Sequence, residues 1–217
     1  MAELTGPRFE PEGDGPLQGL VIMLHGVGAD GNDLIGIAPH LAPALPGVAF
    51  VAPDGPDPCD MAPFGRQWFS LQNRDPEVMA QVVAEAGPAV DGFIDAEMAR
   101  TGLSADKIVL MGFSQGTMMS MYVAPRRAAP LAGVLGYSGA LVNGSSLRTD
   151  TVSKPPFLLI HGEDDDVVPF EAMEAAKTAL ETVGIPCDSI GRPGLGHGID
   201  NEGLVNGLAF IKQTLGV

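Results

Sequence analysis

An α/β fold with a mostly parallel central sheet and helices on both faces is predicted by three features of this 217-residue chain. Strand-like and helix-like segments alternate after residue 17, the pattern of a parallel sheet covered on two sides. The length is enough for one sizeable hydrophobic core, and nothing in the composition divides residues 1–217 into unequal halves, so a single domain is expected. Near the middle, an apolar run meets Gly112-Phe113-Ser114-Gln115-Gly116 and then a helical pattern, which reads as strand, sharp turn and helix.

Residues 20–24 are wholly apolar and form the first expected strand. A Gly- and Asp-rich turn follows, then an amphipathic stretch over 33–45 that Pro39 and Pro43 should break or kink. Residues 48–51 are a second short strand. Residues 53–75 show no clear period but contain Met61, Phe64, Trp68 and Phe69. Such aromatic density predicts an ordered loop over the carboxyl edge of the sheet, where ligands bind in open α/β folds. Asp75 and Pro76 form a cap and first-turn proline, after which Val78, Val82, Ala86, Val90, Phe93 and Ile94 recur near the helical period. Gly87 and Pro88 predict a bend there. Strands are expected at 107–111, 131–137, 157–160 and 187–190. Helices are expected at 115–123, at 170–183 closed by Gly184, and at 201–215. Met118 and Met121 share a helix face and are assigned to the core.

Composition excludes several classes of function. The formal net charge of −15 repels phosphate backbones and anionic headgroups, so no nucleic-acid partner is expected. The longest purely apolar runs are about five residues, far short of the roughly 20 that a membrane-spanning helix needs. Residues 1–9 include Glu3, Gly6 and Pro7 and lack an apolar core segment, so no secretory signal is expected and a cytoplasmic location is the default. Cys59 and Cys187 sit in no metal or redox spacing and read as free thiols. The histidines show none of the close spacings of zinc sites, so no metal is expected.

Ser114 is the candidate nucleophile. A serine hydroxyl becomes reactive at neutral pH only when an imidazole takes its proton and a buried carboxylate fixes the ring's tautomer. In the chain order that accompanies this turn, acid and then base follow the nucleophile, each after a later strand. His25 and His40 precede Ser114, and His161 precedes the acidic cluster Glu163–Asp166, which leaves His197 as the base, on a glycine-rich turn able to swing over Ser114. Among Asp164, Asp165 and Asp166, the residues alone do not say which carboxylate points inward. The amide of Gln115 is one expected oxyanion donor, and the amide of Val27, in the turn His25-Gly26-Val27-Gly28, is the second. Phe64 and Trp68 are the candidate substrate-binding residues.

Five segments in one order carry a resemblance: Leu24-His25-Gly26-Val27-Gly28, Gly65-Arg66-Gln67-Trp68-Phe69, Gly112-Phe113-Ser114-Gln115-Gly116, His161 through Pro169, and Gly196-His197. Together they resemble the phospholipase/carboxylesterase family of α/β-hydrolases, which includes the acyl-protein thioesterases. The resemblance implies an α/β-hydrolase fold, a serine hydrolase acting on carboxylic esters or thioesters, and no cofactor. By the family's His-Gly-x-x-Asp-x-x-Val-Pro pattern it implies Asp165 as the acid, completing a triad with Ser114 and His197. The chain departs from thioesterase-like relatives at Ser70, where Trp-Phe-Asp is common, and in a plain Gly194-Leu195-Gly196 before the histidine. The expected partner is a small-molecule ester or thioester, and the aromatics of 53–75 would equally suit a homodimer contact. An amidase or peptidase using the same triad, and a domain that only binds hydrophobic ligands, are the alternatives to be separated by experiment.

Overall fold

The computed structural model describes residues 4–12 and 15–217, so part of the N-terminal segment read above, residues 1–3, lies outside the described residues. Its strands are β1 (Arg8–Phe9), β2 (Gly19–Leu24), β3 (Val48–Val51), β4 (Asp57–Pro58), β5 (Arg66–Gln67), β6 (Ile108–Phe113), β7 (Gly133–Tyr137), β8 (Phe157–Gly162) and β9 (Cys187–Arg192). The helices are α1 (Gly31–Ile35), α2 (Ala38–Leu41), α3 (Pro76–Thr101), α4 (Gln115–Val123), α5 (Leu147–Asp150), α6 (Glu171–Thr182) and α7 (Asn201–Leu215).

Seven strands form the main sheet in the order β1-β3-β2-β6-β7-β8-β9. Every pair is parallel except β1 with β3 at the edge. Period-two alternation sends successive side chains to opposite faces. Leu20, Ile22 and Leu24 of β2 pack with residues of α3, α4 and α6, whereas Val21 and Met23 pack with residues of α1, α2 and α7. The central strands are therefore buried on both sides, which is why they read as continuous apolar runs.

Chain order sets where a site can form. From β2 the chain crosses to β3 on one side, and it later returns to β6 on the other side of β2. The ends of β2 and β6 thus flank a topological switch point, with Leu24 level with Gly112. Helices connecting such strands leave opposite faces there, opening a crevice at the carboxyl edge.

The expected helix over 33–45 is divided into α1, α2 and a 3₁₀ turn at Ala42–Ala44, as its prolines require. The bend expected at Gly87 and Pro88 does not interrupt α3, which runs unbroken for 26 residues. One ladder bond is lost at Pro88, but the lack of a side chain at Gly87 lets Tyr122 of α4 pack there; a Cβ would lie 2.7 Å from its ring. Met121 is fully buried, as expected, while Met118 is only partly buried at the margin of the core, where Met119 is enclosed instead. Strands β6, β8 and β9 run two residues past their expected ends, because a glycine falls at each end, beside Phe113, His161 and Arg192 in turn, and interrupts the apolar run.

Cys59 and Cys187 are both free and buried. Burial pushes the Cys187 thiol up to about 12, so it is not a nucleophile at neutral pH. Among the described residues, no helix is long and apolar enough to cross a membrane.

Candidate active site

At the exit of β6, Ser114 adopts φ 52° and ψ −114°, a strained conformation for a residue with a side chain. Its backbone is held by the bond from Ser114 N–H to the Tyr137 carbonyl of β7, 2.9 Å, and α4 begins at the next residue. The flanking glycines are sterically required. A Cβ on Gly116 would sit 1.8 Å from the Leu24 carbonyl oxygen, and one on Gly112 would sit 2.5 Å from the Gly116 backbone. The start of α4 is therefore pressed against the ends of β2 and β6, which pushes Ser114 out of the sheet's plane.

Hydrogen bonds between successive strand exits carry the edge across the sheet. Ser138 N–H donates to Ile160 O at 2.9 Å, and Glu163 N–H donates to Arg192 O at 3.0 Å. The third element, Asp165, follows β8. Its neighbours Asp164 and Asp166 are exposed while Asp165 is buried. One carboxylate oxygen accepts the amides of Val167 and Val168, each at 2.9 Å. The other lies 2.8 Å from His197 Nδ1 and 3.1 Å from His161 Nε2. Burial disfavours the charge on Asp165, but the hydrogen bonds from His197, Val168 and Val167 outweigh it and hold the carboxyl below the usual carboxylate range.

His197 sits between this carboxylate and the turn that holds Ser114. Donation of Nδ1–H to Asp165 leaves Nε2 bare as a proton acceptor. The imidazole packs against Phe113, the residue before Ser114, with ring centroids 5.0 Å apart and the planes tilted by 46°. The loop around it is tied down rather than free to swing. Asp164 N–H donates to Leu195 O, Ser138 Oγ to Gly198 O, and Arg192 grips both Asp200, the cap of α7, and Glu202. Gly162 makes room for this loop, since a Cβ there would meet Leu195 O at 2.2 Å.

The turn after β2 lies on the other side of Ser114; a Cβ on Gly26 would come within 3.3 Å of Ser114 Cβ. The amides of Val27 and Gln115 make no hydrogen bond to any described residue, which leaves both as available donors. The two-stranded β4–β5 ribbon buttresses this turn. Gly28 N–H donates to Arg66 O at 2.9 Å and Arg66 N–H to Ala29 O at 2.8 Å, while Gly28 itself takes φ 81°.

Phe64, at the ribbon's tip, is 73% exposed, as is much of Met61. Trp68 is 2% exposed: its indole N–H donates to His25 O at 2.9 Å, and it lines a cleft of about 400 Å³ toward α3 rather than the face bearing Ser114. Two features are not legible in the sequence. The Gln115 side chain, read there only for its amide, accepts from Trp68 N–H at 2.9 Å and donates to Phe69 O at 2.7 Å. His161, set aside there on chain order alone, reaches Val168 O at 2.9 Å but also touches the Asp165 carboxylate. His40 is exposed and lies on α2, away from these groups.

Residues 11–215 match the phospholipase/carboxylesterase family model. The chain is 32% identical over 174 residues to carboxylesterase SOBER1 of Arabidopsis thaliana, covering 76% of this chain and 75% of that protein. It is 29% identical over 204 residues to acyl-protein thioesterase 1 homolog 1 of Dictyostelium discoideum, covering 90% of each. The crystal structure of esterase PE8 superposes with a TM-score of 0.93 at 37% identity, over 98% of this chain and 100% of that one.

Proposed function

Since the chain belongs to the phospholipase/carboxylesterase family, we propose that it is a single-domain serine hydrolase that cleaves carboxylic esters, and by extension thioesters, through an acyl-enzyme on Ser114. His197 Nε2 takes the proton of Ser114 Oγ as that oxygen attacks the ester carbonyl. The negative charge forming on the carbonyl oxygen is met by the amides of Val27 and Gln115. Collapse of the tetrahedral intermediate breaks the bond to the leaving group, which departs with the proton from His197. Water then attacks the acyl-enzyme by the same route, giving the acid and restoring Ser114. Asp165 keeps His197 in the tautomer that leaves Nε2 bare and stabilises the imidazolium.

One observation carries the reading: the 2.8 Å contact of Asp165 with an imidazole that packs against the ring of the residue preceding the strained Ser114. The exposed Phe64, on a ribbon bonded to the Val27 turn, supports a contact with the acyl portion of the substrate. The burial of Trp68 supports a role behind that turn instead.

Paired rates on a short-chain nitrophenyl ester and the matching nitroanilide test the substrate class. The ester is expected to turn over at least about a hundredfold faster. Comparable rates would favour an amidase, and no turnover of either would favour a ligand-binding domain.

A further inference from the structure

We propose that His25 is a positioning residue that aims the Val27 amide at the reacting carbonyl, an inference that rests on the assignment of Ser114 and the oxyanion donors above. The imidazole of His25 is fully buried beside Trp68, with ring centroids 5.2 Å apart, and contacts no group of the Ser114–His197–Asp165 set by hydrogen bond. Its two nitrogens have fixed roles. Gly55 N–H donates to Nε2 at 2.9 Å, and an amide can only donate, so Nε2 is bare. Nδ1 therefore carries the proton and donates it to the Gly26 carbonyl oxygen at 2.7 Å.

Gly26 C=O and Val27 N–H belong to one planar trans peptide, so they point in opposite directions. Drawing the carbonyl toward the buried His25 ring turns the Val27 N–H away from that ring, in a turn whose Gly26 borders Ser114. Ala29 N–H also donates to Gly26 O, but at 3.2 Å it is the longer contact. Without the imidazole donor, a glycine peptide between Gly26 and the φ 81° Gly28 has the freedom to rotate.

The same residue joins the two oxyanion donors. His25 O accepts the Trp68 indole N–H, and Trp68 N–H donates to the Gln115 side chain, whose own backbone amide is the second donor. Gly55, which fixes the tautomer, is in turn held by Arg66 Nε donating to its carbonyl at 2.8 Å. The segment between β3 and α3 thus sets the separation and aim of both amides.

A matched pair of variants separates the two nitrogens. In His25→Asn the side-chain amide nitrogen falls where Nδ1 stands and can still donate to Gly26 O. In His25→Gln the terminal group falls where Nε2 stands, and can satisfy Gly55 but not Gly26. His25→Gln is expected to lose about 10- to 100-fold in kcat with KM changed less than about threefold, and to bind a boronic-acid transition-state mimic correspondingly more weakly. His25→Asn should recover most of that loss. Equal losses in both variants, or wild-type kcat in His25→Gln, would overturn the proposal. If His25→Gln does not fold, nitrogen NMR of the wild-type imidazole decides: a proton on Nδ1 and none on Nε2 supports the role, and the reverse overturns it. Full turnover by Ser114→Ala would instead remove the assignment on which His25 depends, and both would fall together.

Discussion

Ser114→Ala should lower kcat for a nitrophenyl ester by about five to six orders of magnitude while the thermal midpoint stays within a few degrees of wild type. The size of the loss follows from the division of labour at the site. Without Oγ no acyl-enzyme forms and His197 has no serine proton to take, so only binding and the two amides would remain to assist a water molecule. The fold should tolerate the change because Ser114 Oγ makes no hydrogen bond to a described residue, and the turn is held by backbone contacts and by Gly112 and Gly116. Alanine does not remove the positive φ, so the strain of the turn stays in the variant. Active-site titration of the purified variant guards against trace wild-type enzyme in such a measurement.

Asp165→Asn should be the next most damaging change, at about four orders of magnitude in kcat. The amide oxygen can keep the bonds from Val167 and Val168, so the loop after β8 retains its anchor. The amide nitrogen then faces His197 Nδ1, from which the carboxylate oxygen had accepted, and His161 Nε2, which stands 3.1 Å away. A donor opposite Nδ1 favours the tautomer with the proton on Nε2, and that ring cannot accept the Ser114 proton. The effect on stability has a definite sign in pH. Because the folded pKa of Asp165 is lowered, the ionised carboxylate contributes stability that is complete above the unfolded value of about 3.9 and is lost as pH falls through the folded value. Thermal melts of wild type and variant should therefore differ at neutral pH and converge in strong acid. A gap that persists unchanged into acid would contradict the hydrogen-bond account of Asp165.

The order of elements was legible because the central strands are buried on both faces and the helices are punctuated by Gly and Pro. The ends were less so. His161 and Gly162 belong to β8, but they look like loop residues because the end of a parallel strand at a ligand crevice needs polar and small groups. Strand β1 and the β4–β5 ribbon have two residues per strand, too few for any period to register. At the site, the run of three aspartates gave no physical preference until burial distinguished Asp165 from its exposed neighbours. In the sequence, only the family pattern singles out Asp165 from that run. The second imidazole on that carboxylate, and the tautomer imposed on His25 by Gly55, depend on contacts between residues whose partners are set by the tertiary fold. No local spacing encodes the His25–Gly55 contact, since those positions are 30 residues apart.

One serine, Ser114, is expected to be made nucleophilic by its surroundings. Treating the native protein with a fluorophosphonate and mapping the adduct by mass spectrometry tests it most directly. One equivalent is expected to bind, on Ser114, with esterase activity lost in step with labelling. Undiminished ester hydrolysis after exhaustive treatment, or inactivation through an adduct at another residue, would contradict it.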